Sequence, residues 1–472
     1  MRYKPAGGFV LWVAWAWIGH DVALSCPAMA ISLAAMALML WIYRLLFIPL
    51  LLVVGSLHLW RARGRHGTSS TPRERMGYLP NLPPKSPGKQ RVWLQAVSVG
   101  EMLAVQPIID ALVARPDVEV VLTTTTATSQ KIARERYAGK VAAVGFFPID
   151  FMPWVARMWD TVAPDLMLLT EGEWWPEHIA QALRRDVPVV CMNARISDRS
   201  FRRMRVARPL LPVMMSGLTR LLAGSPTDAE RFLALGFSKD QVRLTGNIKV
   251  DIVISELTPE ERLALRSELG FAYGDVVLLG ASTWPGEEEA LFQAWQAVRA
   301  KSDVLVRLLL VPRHAERRDK VEAVVAGKGA TYALRSRGGA GQPADVYIAD
   351  TTGELQRLTQ VADIVFVGKS LPPHRDGQTP VEAAGLGRAL IMGTGMANFR
   401  SIARGLTECG AAWRVADTRE LTEAVEALVL DPAERSRRAQ LGREWHEANR
   451  GGLGLTLREI ETLLSEAKER RG

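Results

Sequence analysis

The chain has 472 residues, enough for two or three domains, and 48% of them are hydrophobic. Its net charge of +9 points to anionic partners, but no zinc-finger spacing, basic zipper or aromatic RNA-binding signature accompanies it, which argues against nucleic acid. Three widely spaced cysteines, Cys26, Cys191 and Cys409, exclude a disulfide framework and a thiolate metal site.

The first predicted element is apolar. Residues 28–43 carry no charge, Arg44 interrupts, and residues 45–57 continue the run. About 20 apolar residues suffice to cross a bilayer, so this stretch predicts a transmembrane helix within an N-terminal extension, residues 1–65. Arg61, Arg63, Arg65, Arg73 and Arg75 follow it, which by the positive-inside rule places the rest of the chain in the cytoplasm. A cleaved signal peptide would carry its basic residues ahead of the apolar core instead. The shorter Trp-rich run at 9–18 reads as an interfacial segment, a hairpin arm, or an extension preceding a start at Met36 or Met39. Residues 66–90, rich in Pro, Gly, Ser and Thr, read as a linker.

From residue 91 short β runs alternate with amphipathic helical stretches. Strands are predicted over 91–97, 118–124, 142–146, 165–170, 187–193 and 220–223. Helices are predicted over 101–115, 127–138, 153–162, 177–185 and 199–217. The pattern restarts with strands over 275–280, 304–311, 345–349, 363–368 and 388–392. The helices there are 286–300, 315–327, 353–361, 379–387, 398–408 and 418–429. Such alternation predicts parallel sheets covered by helices on both faces. The division falls at 91–251 and 252–472, with a linker over 248–262 and a cleft between the halves. The closing helices, about 432–450 and 454–470, either pack back across a domain or extend outward. In 199–217, arginines interleaved with Phe201, Met204 and other apolar residues read equally as a membrane-surface contact or as a core helix with a solvated basic face.

Chemistry-bearing residues gather where the predicted strands end. The first strand runs into Ser98, Gly100 and Glu101, so a carboxylate opens the next helix at a strand's carboxyl end. It serves there either as a base for an incoming hydroxyl or as a charge that steadies its helix. Glu171 and Glu173 end a later strand, Arg195 follows the next, and Lys249 follows Thr245-Gly246-Asn247-Ile248. In the second half Ser282 and Thr283, then Arg313 and His314, occupy comparable ends. Gly368 leads into Gly377-Gln378-Thr379-Pro380-Val381-Glu382, a Gly-containing turn into a helix suited to phosphate and ribose hydroxyls. No two Asp residues lie two apart, no His pair lies four apart, and no Walker A, Gly-x-Gly-x-x-Gly or Gly-x-Ser-x-Gly sequence occurs. A metal site and a resident cofactor are therefore not expected.

Several motifs appear together in order. They are Ala96-Val97-Ser98-Val99-Gly100-Glu101, Glu171-Gly172-Glu173-Trp174-Trp175-Pro176, Asn193-Ala194-Arg195-Ile196-Ser197 and Gly246-Asn247-Ile248-Lys249. Ser282-Thr283, Val311-Pro312-Arg313-His314, Thr352-Gly353-Glu354-Leu355, Phe366-Val367-Gly368, Pro380-Val381-Glu382 and Asn398-Phe399-Arg400 continue the series. From about Leu40 onward the chain resembles the 3-deoxy-D-manno-octulosonic acid (Kdo) transferases of lipopolysaccharide synthesis. The resemblance implies a GT-B fold of two Rossmann-like domains facing a cleft. It implies transfer of Kdo from CMP-Kdo to a lipid A precursor at the cytoplasmic face of the bacterial inner membrane, against an anionic surface. It implies Glu101 as general base and CMP binding by the second half through Arg313 and Glu382. Gly172 and Trp284 depart from the family's usual Thr and His, and Arg375-Asp376-Gly377-Gln378-Thr379-Pro380 departs from its Gly-Gly-His-Asn-Pro. The rival readings are a GT-B enzyme using another nucleotide sugar and a membrane-tethered lipid-binding protein.

Overall fold

Runs of Val, Leu and Ile with no polar alternation make strands that are buried on both faces, as a parallel sheet requires. The computed structural model describes residues 37–49, 72–79, 81–208, 211, 215–338 and 343–470. They form two compact units: the chain up to Ile248 together with Gly451 onward, and Lys249–Arg450.

The first unit holds a seven-stranded sheet of β1 (Gln90–Ala96), β2 (Val118–Thr124), β3 (Ala143–Phe146), β4 (Leu166–Thr170), β5 (Val189–Ala194), β6 (Arg220–Ala223) and β7 (Val242–Leu244). Their spatial order is β3-β2-β1-β4-β5-β6-β7. Pairing is parallel, with Gln90 opposite Val118 through to Ala96 opposite Thr124, and Val92 opposite Leu166. The chain therefore winds away from β1 in one direction and returns on its other side at β4. Diverging connections leave a crevice beyond the carboxyl ends of that central pair. The second unit repeats the plan with β8 (Val276–Thr283), β9 (Val306–Pro312), β10 (Tyr332–Leu334), β11 (Val346–Ile348), β12 (Ile364–Val367), β13 (Ala389–Gly393) and β14 (Ala412–Val415). Its order is β10-β11-β9-β8-β12-β13-β14, so its switch lies between β8 and β12. Each sheet has an apolar cluster on either face. Buried indoles still find acceptors: Trp93 Nε1 donates to Thr123 Oγ1 at 2.9 Å and Trp295 Nε1 to the Val306 carbonyl at 2.8 Å.

The two wound α/β halves agree with the sequence pattern, but their limits differ in three places. The last helix, Gly452–Glu469, does not belong with residues 252–450: Ile460, Leu463 and Leu464 enter the first unit's core beside Val92, Leu94 and Ile109. Their spacing gives the helix one apolar stripe, and that stripe is the part it buries. The chain comes back beside Gly246, where a Cβ on Gly452 would lie 3.1 Å from the Gly246 carbonyl carbon. The supposed linker 248–262 contains a helix start. Thr258 Oγ1 accepts from Glu261 N at 3.2 Å and Glu261 Oε2 accepts from Thr258 N at 2.8 Å, with Pro259 in the first turn. The supposed linker 66–90 is also structured in part: buried Glu74 accepts from Phe146 N at 3.1 Å and Gln130 Nε2 at 3.0 Å.

Among the described residues no helix is long and apolar enough to cross a membrane. Within the stretch expected to span, residues 37–49 are helical, while 28–36 and 50–57 lie outside the described residues, as does the run at 9–18. The helix lies against the first unit instead of standing apart. Ala37 and Leu40 are buried, Tyr43 Oη donates to Asp150 Oδ2 at 2.7 Å, and Arg44 grips Glu177 through two bonds of 2.9 Å. The charge that interrupts the apolar run is thus the docking group. Leu38, Trp41, Ile42, Leu45 and Leu46 on the other face are exposed.

Asp150 also accepts from the backbone of Glu177 and His178 at 3.1 and 3.3 Å. Burial pushes its carboxyl up to about 7, against the lowering effect of these bonds. A folded value above the unfolded one means that the stability this group lends is complete below about pH 4. It is lost as pH rises through about 7. Urea unfolding at half-unit steps from pH 4.5 to 7.5 should show that decline, and Asp150→Asn should flatten it.

Candidate active site

In the first unit the site grows from the ends of β1 and β4. Ser98 caps the helix Val99–Ala104, its Oγ accepting from Glu101 N at 3.3 Å. The Glu101 carboxylate turns back over the strand end. Oε2 accepts from Val97 N at 3.0 Å, Oε1 from Ser98 Oγ at 3.1 Å, and Thr170 Oγ1 at the end of β4 donates to Oε2 as well. An ionised carboxylate has about four acceptor positions, so these three donors orient the group and leave roughly one position for a further hydroxyl. Steadying the helix and acting as a base are therefore compatible roles for the same atoms. Gly100 is exposed, and a Cβ there would meet only Ser98 Oγ, at 4.0 Å.

Two more carboxylates follow β4. Glu171, buried and left-handed at φ 56°, forms an ion pair with Arg195 from the end of β5. Burial raises the Glu173 pKa; the Trp175 indole, donating to Oε2 at 2.7 Å, partly opposes this, and the charges of Glu101 and Glu171 add to the rise. The two tryptophans part company: Trp174 packs on Phe232 and Phe237 in the core while Trp175 is exposed. Ser98, Gly100, Glu101, Glu171, Glu173 and Arg195 thus share the carboxyl ends of β1, β4 and β5. Lys249 does not join them within that unit. It falls in the second, its Nζ 5.8 Å from the centre of the Phe399 ring.

The second unit's site is organised by a residue that sequence reasoning passed over. Glu287 Oε2 accepts from Lys369 N at 2.7 Å and Trp284 N at 2.9 Å, and Oε1 from Ser370 N at 2.9 Å and Leu371 N at 3.0 Å. One buried carboxylate thereby ties the loop after β12 to the loop after β8. Burial raises its pKa and the four N–H groups hold it back. The triple Glu287-Glu288-Glu289 reads in sequence as an ordinary helix opening; the signal that separates its members is the pair of loops converging on the first. Glu288 is committed too, accepting from Thr283 Oγ1 at 2.8 Å and from both Nη atoms of Arg317.

The remaining predicted residues lie around this clamp. Ser282, at φ 54°, and Gly368 are pressed together, and a Cβ on Gly368 would sit 2.2 Å from the Ser282 carbonyl oxygen. The missing side chain there admits backbone. Gly377, at φ 70°, would drive a Cβ to 2.5 Å from Met396 Sδ. Gln378 N donates to the Gly368 carbonyl at 3.0 Å, and Thr379 Oγ1 accepts from Val381 N at 3.3 Å. Arg313 and His314 are exposed at the end of β9, the His314 ring 5.3 Å from Trp284. Lys369 Nζ lies 4.6 Å over the Trp284 ring and 2.7 Å from Asp376. Glu382 is different from its neighbours: burial raises its pKa, and among the described residues no hydrogen bond or ion pair engages its carboxyl. A polar group so placed is equipped to receive ligand hydroxyls.

Removing the clamp leaves four backbone donors to find new partners. Glu287→Ala should cost about 3 kcal/mol or more in urea unfolding, while Glu289→Ala, which loses one exposed cap bond, should cost under about 1 kcal/mol.

Known proteins resemble this chain at both levels. The sequence profile of the family described as 3-Deoxy-D-manno-octulosonic-acid transferase (kdotransferase) matches residues 70–252. A 3-deoxy-D-manno-octulosonic acid transferase from Bordetella pertussis is 34% identical over 385 residues, covering 79% of this chain and 87% of that one. Another from Haemophilus influenzae is 31% identical, covering 80% and 88%. In fold, the chain is similar to the UDP-GlcNAc 2-epimerase of Neisseria meningitidis, with a TM-score of 0.51 at 13% identity, covering 80% of this chain and all of that one.

Proposed function

Because the chain belongs to the 3-deoxy-D-manno-octulosonic acid transferase family, we propose that it transfers Kdo from CMP-Kdo to a lipid A precursor, with inversion and without a metal. The observation that carries the reading is the Glu101 carboxylate, aimed by three donors at the β1–β4 switch. In this scheme Glu101 takes the proton of the acceptor hydroxyl as that oxygen attacks the anomeric carbon from the face opposite the nucleotide. The glycosidic bond to phosphate breaks, and CMP leaves with the electron pair. Arg195, paired with Glu171, orients the acceptor side. Arg313 and Lys249 meet the negative charge that develops on the leaving phosphate, which is the task a metal performs elsewhere. Ser282, Thr283, His314, Gly368, Gly377, Gln378 and Thr379 shape the nucleotide site, and Glu382 receives ribose hydroxyls.

The same reading places the protein on the cytoplasmic face of the bacterial inner membrane. Two features support it. The helix 37–49 turns an apolar face outward, and the helix Asp198–Val206 turns Phe201 and Met204 inward while Arg199, Arg202, Arg203 and Arg205 stay exposed. An apolar face and a basic one suit the boundary of an anionic leaflet.

Two experiments test the chemistry. Glu101→Gln should lower the rate of Kdo transfer to a tetra-acylated lipid A precursor by about 10²–10⁴-fold, read by mass spectrometry of the products, and leave CMP binding intact. Wild-type kcat in that variant would refute the role. CMP should raise the melting temperature where UDP and GDP do not, and Glu382→Ala should weaken CMP by about tenfold. Equal protection by UDP would favour a different nucleotide sugar.

A further inference from the structure

Lys369 is the second residue beyond β12, at the crevice where β8 and β12 part. Its backbone is left-handed at φ 57°, a conformation that is strained for lysine and almost free for glycine. Both of its backbone polar groups are engaged. Its N donates to Glu287 Oε2 at 2.7 Å, and its carbonyl accepts from Gly377 N at 2.8 Å. Neither bond needs a side chain at position 369. A long side chain on so unfavourable a backbone points to a task for its far end.

That end is a cation on a prepared seat. Nζ lies 4.6 Å over the Trp284 ring, within reach of cation–π attraction, and 2.7 Å from Asp376 Oδ2. The indole is held in turn. Trp284 N donates to Glu287 Oε2 at 2.9 Å, and the rings of His314 and His374 stand 5.3 and 5.9 Å from it. Trp284 Nε1–H is covered from solvent, and among the described residues nothing accepts from it. A covered donor without an acceptor marks a place where an oxygen-bearing ligand has a bond to supply. Asp376 is the loose partner. Its side chain is 49% exposed against 24% for Lys369, and so open an ion pair is weak. An anion entering the crevice can take the place of Asp376 while the backbone of Lys369 stays fixed.

We propose that Lys369 is a further donor-binding residue, its ammonium passing from Asp376 to an anionic oxygen of the nucleotide sugar, in the phosphodiester or in the sugar's carboxylate. This role rests on CMP-Kdo being the donor. The test uses the full chain. Calorimetry reads CMP affinity, and initial rates at limiting CMP-Kdo read kcat/KM. Lys369→Gly keeps both backbone bonds and suits φ 57°, so the variant folds, which circular dichroism checks. Contact with the phosphate predicts that Lys369→Gly binds CMP at least about fivefold more weakly. Contact with the carboxylate predicts unchanged CMP affinity and a fall of about the same factor in kcat/KM. Asp376→Asn should act in the opposite direction, strengthening the affected step by about twofold or more, because the competing carboxylate is gone. A pair that merely fastened the loop would make both variants weaker together. That result, or wild-type CMP affinity and kcat/KM in Lys369→Gly, would overturn the role of Lys369 and leave the donor reading standing. A wild type that binds no CMP would instead overturn the donor reading, and the role of Lys369 with it.

Discussion

Parallel strands cannot be joined by a tight turn, and everything functional in this protein descends from that constraint. Each connection must cross over the sheet and re-enter at the same end. A sheet begun at its centre, as with β1 and β8, therefore has to be wound first one way and then the other. The loops diverge between β1 and β4 and again between β8 and β12. Glu101 and Glu171 stand at the first divergence; Trp284, Gly368 and Lys369 stand at the second. No side chain had to be brought from far away, because the winding gathers the carboxyl ends of neighbouring strands by itself.

Carboxylates at these two places illustrate how one chemical group divides its labour. Glu287 spends its acceptor capacity on four backbone N–H groups and becomes structural. Glu101 accepts from three donors, two of them hydroxyls, and keeps room for another. Glu382 is half-buried with no such engagement among the described residues. The same residue type runs from full saturation to none, and the unsaturated end of that range is where a ligand has something to offer.

Much of this was legible beforehand because strands buried on both faces are long apolar runs, and β1, β2, β5, β8 and β9 are the longest. The short edge strands β7, β10 and β14 escaped notice: Val242–Leu244 and Tyr332–Leu334 have three residues each, and Trp413 and Arg414 dilute the apolar signal of the last. The predicted helix 101–115 is two helices, broken at Val105 where Pro107 takes the first turn of the second. The basic helix expected over 199–217 ends at Val206, with 209–210 and 212–214 outside the described residues. Thr258-Pro259 punctuates the sequence as a linker does, yet the same two residues are an N-cap and a first-turn proline. Sequence alone also offers no way to tell Glu287 from Glu288 and Glu289, since the distinction depends on which loop comes to meet it.

The return of the final helix to the first unit fixes an order of events at the ribosome. The first unit opens its sheet early, with Val92 and Leu94, and Met102, Ile108, Ile109 and Leu112 cover part of the same face, but Ile460, Leu463 and Leu464 complete that apolar cluster. Those residues emerge only after all of Lys249–Arg450 has been made. The second unit is one unbroken length of chain and has every part it needs before synthesis ends. The unit begun first is thus completed after the second, because part of the cover on one side of its sheet is encoded some three hundred and seventy residues downstream.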